Sequence, residues 1–177
     1  FSNDDLLTAW RAAAAVAAAP RHLRLLDLGA GVGSVGLATL ARLPPCATLT
    51  LVEAQPISVP LCRATLARNA LGGRCRVVHA DLRELPGPHL DGRADADALA
   101  RGGYDLIPGS PPFLPLAKAP PSAHTQKAHC RSEYRGSVVD YCAAAARLLR
   151  PRTGRFVFVL AAQDARAAAA PAAAGLA

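Results

Sequence analysis

Short apolar runs alternate along this chain with amphipathic stretches, and each run ends at a polar or glycine-rich break. Leu7, Trp10, Ala14 and Ala17 recur at helical spacing behind the cap-forming Ser2, Asn3 and Asp4, which predicts a lead-in helix stopped by Pro20. Residues 23–27 read as a first buried strand. An Ala/Leu-rich helix follows as far as Arg42, where Leu43-Pro44-Pro45 breaks it. Residues 48–53 (TLTLVE) make a second strand ending in an acid. Ser58 can cap a helix that accepts Pro60 in its first turn, with Val59, Cys62, Leu66 and Ala70 as its apolar stripe and Gly72-Gly73 at its end. Further strands are expected over 75–80, 104–107 and 156–160. Before the last of them, Val138, Cys142, Ala145 and Leu149 stripe a helix stopped by Pro151 and Gly154.

Two stretches fall outside this rhythm. Residues 86–103 are rich in Pro, Gly and Asp and read as a surface insertion with at most one weak helical turn over 94–100. Residues 161–177 are a low-complexity alanine tail, helix-prone until Pro171. Strands alternating with helices predict one α/β domain over residues 1–177: a Rossmann-like, doubly wound, mainly parallel sheet with helices on both faces. Ligands of such sheets sit off the carboxyl ends of the strands. Asp27 and the glycines after it, Glu53, Asp81 and the segment from Ser110 to Phe113 all fall at such ends.

Composition narrows the picture in a few respects. Lys and Arg number 20 against 13 Asp and Glu, a formal charge of +7. This favours an acidic partner such as nucleic acid, although joint abundance of Ala, Arg, Pro and Gly also arises from coding bias alone. The five cysteines, Cys46, Cys62, Cys75, Cys130 and Cys142, form no C-x-x-C pair, so they read as reduced thiols in a reducing intracellular compartment. His22, His79, His89, His124 and His129 have no partners at ligand spacing, and no metal is expected. No apolar run approaches the roughly 18 to 20 residues of a membrane span. The chain starts at Phe1 and contains no Met, so a piece of a longer chain is expected.

The glycines carry the first chemical signal, and it reads two ways. Gly31, Gly33 and Gly36 satisfy G-x-G-x-x-G, with Glu53 about twenty residues on, as a dinucleotide fingerprint asks. Asp27-Leu28-Gly29-Ala30-Gly31-Val32-Gly33 also resembles the S-adenosylmethionine (SAM) motif of class I methyltransferases. In that family the acid ending the first strand faces the methionine part of SAM. Glu53 can accept both ribose hydroxyls of an adenosine in either case.

Ser110-Pro111-Pro112-Phe113 separates the two readings. It resembles the [Asn/Asp/Ser]-Pro-Pro-[aromatic] motif of amino-methyltransferases. A polar side chain and a proline carbonyl can accept the two N–H bonds of a planar amine, leaving its lone pair free, while the aromatic ring stacks on the heterocycle. The resemblance implies SAM as cofactor, held by Asp27, Gly29, Gly31, Gly33, Glu53, Asp81 and Leu82, with Asp81 toward the adenine amino group. It also implies Ser110, Pro111, Pro112 and Phe113 at the reacting amine.

Asp5-Leu6-Leu7, residues 130–151 (CRSEYRGSVVDYCAAAARLLRP) and Gly154-Arg155-Phe156 extend the resemblance to the "small domain" methyltransferases. Within that group they are similar to the bacterial-type adenine-N6 methyltransferases of valine tRNA. Their fold has two more strands, so the domain is expected to be truncated after the fifth. Lys118, Lys127, Arg131 and Arg135 are then candidates for a nucleic-acid face, RNA in particular, with His129 beside them. Where that branch carries Asn this chain has Ser110, as in cytosine-N4 DNA methyltransferases. DNA bases and protein glutamine therefore remain open as targets, as do a NAD-dependent oxidoreductase and an inactive SAM-binding module.

Overall fold

The computed structural model describes residues 2–18, 22–85, 99, 101–115 and 132–176. Five parallel strands, β1 (Arg24–Leu28), β2 (Thr48–Glu53), β3 (Cys75–His79), β4 (Leu106–Gly109) and β5 (Arg155–Phe158), form one sheet in the order β3-β2-β1-β4-β5. The order reverses between β1 and β4, so the loops that follow these two strands diverge and leave a crevice above the sheet.

Strand residues alternate between two cores because successive side chains point to opposite faces. Leu25, Leu49, Leu51, Val77 and Leu106 meet α1 (Asn3–Ala15), α2 (Ser34–Leu40) and α3 (Ser58–Arg68). Leu26, Leu28, Val52, Val78 and Ile107 face the other way, onto α4 (Val138–Leu148) and a 3₁₀ turn at Leu82–Glu84. A third cluster seats α5 (Arg166–Ala173) on α4 through Val138, Cys142 and Ala170. Capping boxes start α1 at Ser2 with Asp5 and α4 at Ser137 with Asp140.

The structure departs from the sequence reading in several places. The buried stripe of α1 is Ala9, Ala12 and Ala13, continued by Val16, while Leu6, Leu7 and Trp10 are exposed. Small side chains let α1 lie close against α2. Ser58 does not cap α3: the cap position is Ile57, and Ser58 is a buried first-turn residue. The left-handed residue just after α3 is Ala70 (φ 53°), ahead of the two glycines, and it lies outside the apolar stripe.

Strand β4 runs on through Pro108 and Gly109, which pair with Val157 and Phe158 of β5. Its register with β1 holds at Leu25–Leu106 and Leu28–Gly109 and skips Pro108, which has no N–H to give. Pro171 lies inside α5, and the helix ends instead where Gly175 (φ 74°) lets the Leu176 amide donate to the Pro171 carbonyl. Most of the expected 86–103 insertion and the segment 116–131 lie outside the described residues.

Candidate active site

A cavity of about 270 Å³ opens over the carboxyl ends of the strands. Much of its lining comes from strand ends: Gly29, Ala30 and Gly31 after β1, Glu53 and Gln55 at β2, Ala80 and Leu82 after β3, Ser110 and Pro112 after β4. Asp5 of α1, Arg135 from a 3₁₀ turn at Glu133–Arg135, and Tyr141 of α4 complete it.

Asp27 is 2% exposed and its Oδ2 accepts the Gly36 amide of α2 at 2.8 Å. Burial pushes its carboxyl up from 3.8 to about 7; the Gly36 amide opposes this, and the negative charges of Glu53 and Asp5 add to it. Gly36 is what allows the approach: a Cβ there would stand 2.6 Å from Asp27 Oδ2. The third glycine of the apparent dinucleotide fingerprint is therefore explained by packing against an acid. Gly29 (φ 67°) makes room in the same way for Tyr141, whose Oη would lie 2.0 Å from an added Cβ.

Glu53 is buried and ties two loops together. Its Oε2 accepts the Gly31 amide at 2.7 Å and its Oε1 accepts the Gln55 amide at 2.5 Å. Each carboxylate oxygen can accept two hydrogen bonds, so both keep acceptor capacity toward the cleft. Gly31 (φ 58°) has nothing within 4 Å of an added Cβ, and its backbone face is open.

Asp81 stands at the expected strand end, where it is engaged by Arg83. Its carboxylate caps the 3₁₀ turn through the Arg83 amide and pairs with the Arg83 guanidinium at 2.6 Å and 2.9 Å. Burial raises its carboxyl, but the hydrogen bonds from Arg83 outweigh that and hold it below the ordinary carboxylate range. Leu82, next in the chain, is buried and lines the cleft.

Ser110 and Pro112 line the cleft; Pro111 is buried and Phe113 is 49% exposed, and neither of these two lines it. Arg135 points into the cleft, its Nη1 donating to the Ala54 carbonyl at 3.4 Å. Lys118, Lys127 and Arg131 lie outside the described residues. Tyr141 was invisible to sequence reasoning, because only the fold brings a helix residue against the tips of β1 and β4. Among the described residues no cluster of His, Cys, Asp or Glu could hold a metal, and no helix is long and apolar enough to cross a membrane.

Comparison with known proteins agrees with this architecture. A model of the methyltransferase small domain family matches residues 1–115. Ribosomal RNA small subunit methyltransferase C from Pseudomonas aeruginosa is 34% identical over 126 residues, covering 61% of this chain and 37% of that protein. Carboxy-S-adenosyl-L-methionine synthase from Chromohalobacter salexigens is 42% identical over 72 residues, 38% of this chain and 27% of that protein. The chain thus spans well under half the length of the curated relatives it matches. Two solved structures share the fold. One is a "predicted O-methyltransferase" from Agrobacterium tumefaciens (TM-score 0.60, 24% identity, 97% of this chain and 67% of that one). The other is TrmN from Thermus thermophilus (TM-score 0.55, 20% identity, 96% and 44%).

The cofactor of this family, SAM, carries a sulfonium, an ammonium and ribose hydroxyls. A cleft with three carboxylates, Asp5, Asp27 and Glu53, and an open glycine backbone suits such a ligand. The dinucleotide alternative has no comparable support. The chain belongs to the methyltransferase small domain family, with the class I fold and with SAM as its cofactor.

Proposed function

We propose that this chain transfers the methyl group of SAM to an exocyclic amine of a nucleic-acid base, adenine N6 of tRNA or another RNA. The observation that carries this reading is the opening of Ser110 and Pro112 onto the same cleft as Asp27 and Glu53. Bound there, SAM supplies a methyl group on a positively charged sulfur. Asp27 and Asp5 sit at the methionine end, Glu53 meets the ribose, and Leu82 lies against the adenine; Gly31 keeps the loop beneath the cofactor bare, while Gly29 makes room for Tyr141 and Gly33 for Leu37 and Leu51. Ser110 and the Pro111 carbonyl accept the amine N–H bonds and orient its lone pair, while the exposed Phe113 ring stacks on the base. Positioning of two reactants does most of the work, and no strong base is required.

Among the described residues the thiols stand away from the cleft. Burial raises Cys62 to about 12 and Cys142 to about 11, and neither lines the cleft. Among the described residues no cysteine is therefore placed to serve as the nucleophile that carbon methylation of a base would need. The formal charge of +7 and the resemblance of the Cys130–Pro151 stretch to tRNA adenine-N6 methyltransferases point to RNA, with Lys118, Lys127 and Arg131 on the nucleic-acid face. Ser110 in place of Asn favours cytosine N4 as the second reading.

The test is single-turnover transfer from labelled SAM to bulk RNA and to DNA, followed by nucleoside identification. Label on N6-methyladenosine in RNA supports the assignment. Label on carbon, on ribose oxygen or on protein glutamine overturns it.

A further inference from the structure

Arg135 was expected on an outward nucleic-acid face, and its surroundings suggest another task. Its Nη1 reaches the Ala54 carbonyl at the tip of β2, at 3.4 Å, beyond the usual hydrogen-bond range of about 2.7–3.2 Å. Its Nε is buried and has no hydrogen-bond partner among the described residues. A half-buried guanidinium with one long bond and a buried Nε–H left unmet is costly for the protein alone, so a ligand that covers or engages it would remove that cost. Its positive charge is also felt by Asp81 at the tip of β3.

The turn that carries Arg135 is held from two sides. Glu133 Oε1 pairs with Arg166 Nη1 of α5 at 2.6 Å, and Arg166 is fixed in turn by Asp164 at 2.7 Å. The Glu133 amide donates to the Leu114 carbonyl at 3.1 Å, directly after the Ser110–Phe113 segment. Long arginine side chains lose considerable freedom when fixed, and here two of them are ordered on one short turn.

We propose that Arg135 closes the adenosine end of the cofactor cleft, its guanidinium plane resting on the purine, and that the Glu133–Arg166 ion pair positions it there. This rests on the reading that places SAM with its ribose at Glu53. The tips of β2 and β3 lie on the far side of β1 from Ser110, which separates Arg135 from the reacting amine. A planar, delocalised guanidinium is suited to lie on an aromatic face in a way that an ammonium is not. The alanine-rich C-terminal segment thereby gains a role in cofactor binding without touching the cofactor.

The experiment is calorimetric titration with SAM, S-adenosylhomocysteine and 5′-methylthioadenosine, which keeps the adenosine and lacks the amino acid, alongside melting of the unliganded variants. Arg135→Ala and Arg135→Gln should weaken all three ligands by about tenfold, with the unliganded melting temperature no lower than the parent's, since the unmet donor is gone. Arg135→Lys should recover only part of the loss. Glu133→Gln should weaken the same ligands about threefold and add nothing in the Arg135→Ala background, as coupled residues do.

Three outcomes overturn the proposal in distinguishable ways. Unchanged methylthioadenosine binding in Arg135→Ala takes Arg135 off the adenosine end. Additive losses for Glu133→Gln and Arg135→Ala break the positioning link. A parent protein that binds none of the three ligands removes the cofactor reading itself.

Discussion

Asp27 Oδ2 and the Gly36 amide nitrogen lie 2.8 Å apart, and only a hydrogen on Gly36 leaves space for that contact. Strand β1 and helix α2 are joined at the point where the buried acid faces the cleft. Glycine inside a helix ordinarily costs about 1 kcal/mol relative to alanine, so Gly36→Ala would stabilise the chain if the site were open. It is not open: the added carbon would stand 2.6 Å from Asp27 Oδ2 and 2.9 Å from Asp27 Cβ. Overpacking of this kind costs about 1–3 kcal/mol. We expect net destabilisation in urea melts together with weaker SAM binding, because the displaced group is the acid itself. A more stable variant with parental affinity would show that the contact does not matter.

The raised carboxyl of Asp27 makes stability fall with pH. With a folded value of about 7 against 3.8, the folded protein keeps a proton that the unfolded chain has already lost. The resulting stability is full below about pH 4 and is gone once pH has risen through 7. Asp27→Asn, which keeps an acceptor for Gly36, should match the parent near pH 4 and exceed it in melting temperature at pH 8. A cationic cofactor favours the ionised acid, so SAM affinity of the parent should rise about tenfold from pH 6 to pH 8, with proton release. Calorimetry in buffers of different ionisation enthalpy reads both quantities, and an affinity independent of pH would contradict the assignment.

Glu53 joins the glycine loop to the start of α3 through the Gly31 and Gln55 amides. Hydrogen bonds to a charged group contribute about 1.5–3 kcal/mol each. Glu53→Ala should therefore weaken SAM binding roughly 10- to 100-fold and lower stability as well. Glu53→Gln, which retains one carbonyl acceptor, should fall between. Loss of stability without loss of affinity would confine Glu53 to holding the loops.

What sequence patterns made legible is local. Asp27, Glu53, Asp81 and Ser110 each stand at or just past the end of a short apolar strand, and a parallel sheet puts all such ends on one rim. The strands and their parallel arrangement follow from the same signal. What depended on long-range packing was not legible. Two stripes on α1 satisfy helical spacing, one through Leu7 and Trp10 and one through Ala9, Ala12 and Ala13. The second is buried because a close neighbour, α2, admits only small side chains. Tyr141 and Arg135 reach the cleft from the second half of the chain, and no spacing links them to the glycine loop. Asp81 stands at its expected strand end, yet Arg83, two residues on, engages its carboxylate, a choice that rotamers decide.

Ala70 offers a test of the fold alone. It holds φ 53° after α3, a left-handed conformation that costs an ordinary residue about 1–2 kcal/mol. Glycine removes that strain but loses about 0.4–1 kcal/mol of unfolded-state advantage. Ala70 is exposed, so no packing changes. Ala70→Gly should gain about 0.5–1 kcal/mol in denaturant melts, the difference between these two effects. A loss would mean that the helix end is not held as described.

Ser110 is the residue on which the target chemistry turns. Asparagine presents a carbonyl at the end of a longer side chain, while serine presents a hydroxyl close to the backbone. An amine held by Ser110 must sit deeper, or rest chiefly on the Pro111 carbonyl with the Phe113 ring fixing its plane. Ser110 lines the cleft and Phe113, next to the cleft-lining Pro112, is half exposed, so neither is sealed in the core. Ser110→Ala and Phe113→Ala should each slow single-turnover transfer to RNA by about tenfold or more, since stacking alone is worth about 1–3 kcal/mol per base. Neither should change SAM affinity, because both groups act on the acceptor. Ser110→Asn should remain active and shift the balance between adenine and cytosine products. If Ser110→Ala transfers at the parental rate, the amine is held elsewhere and the Ser110–Phe113 segment is only the end of a strand.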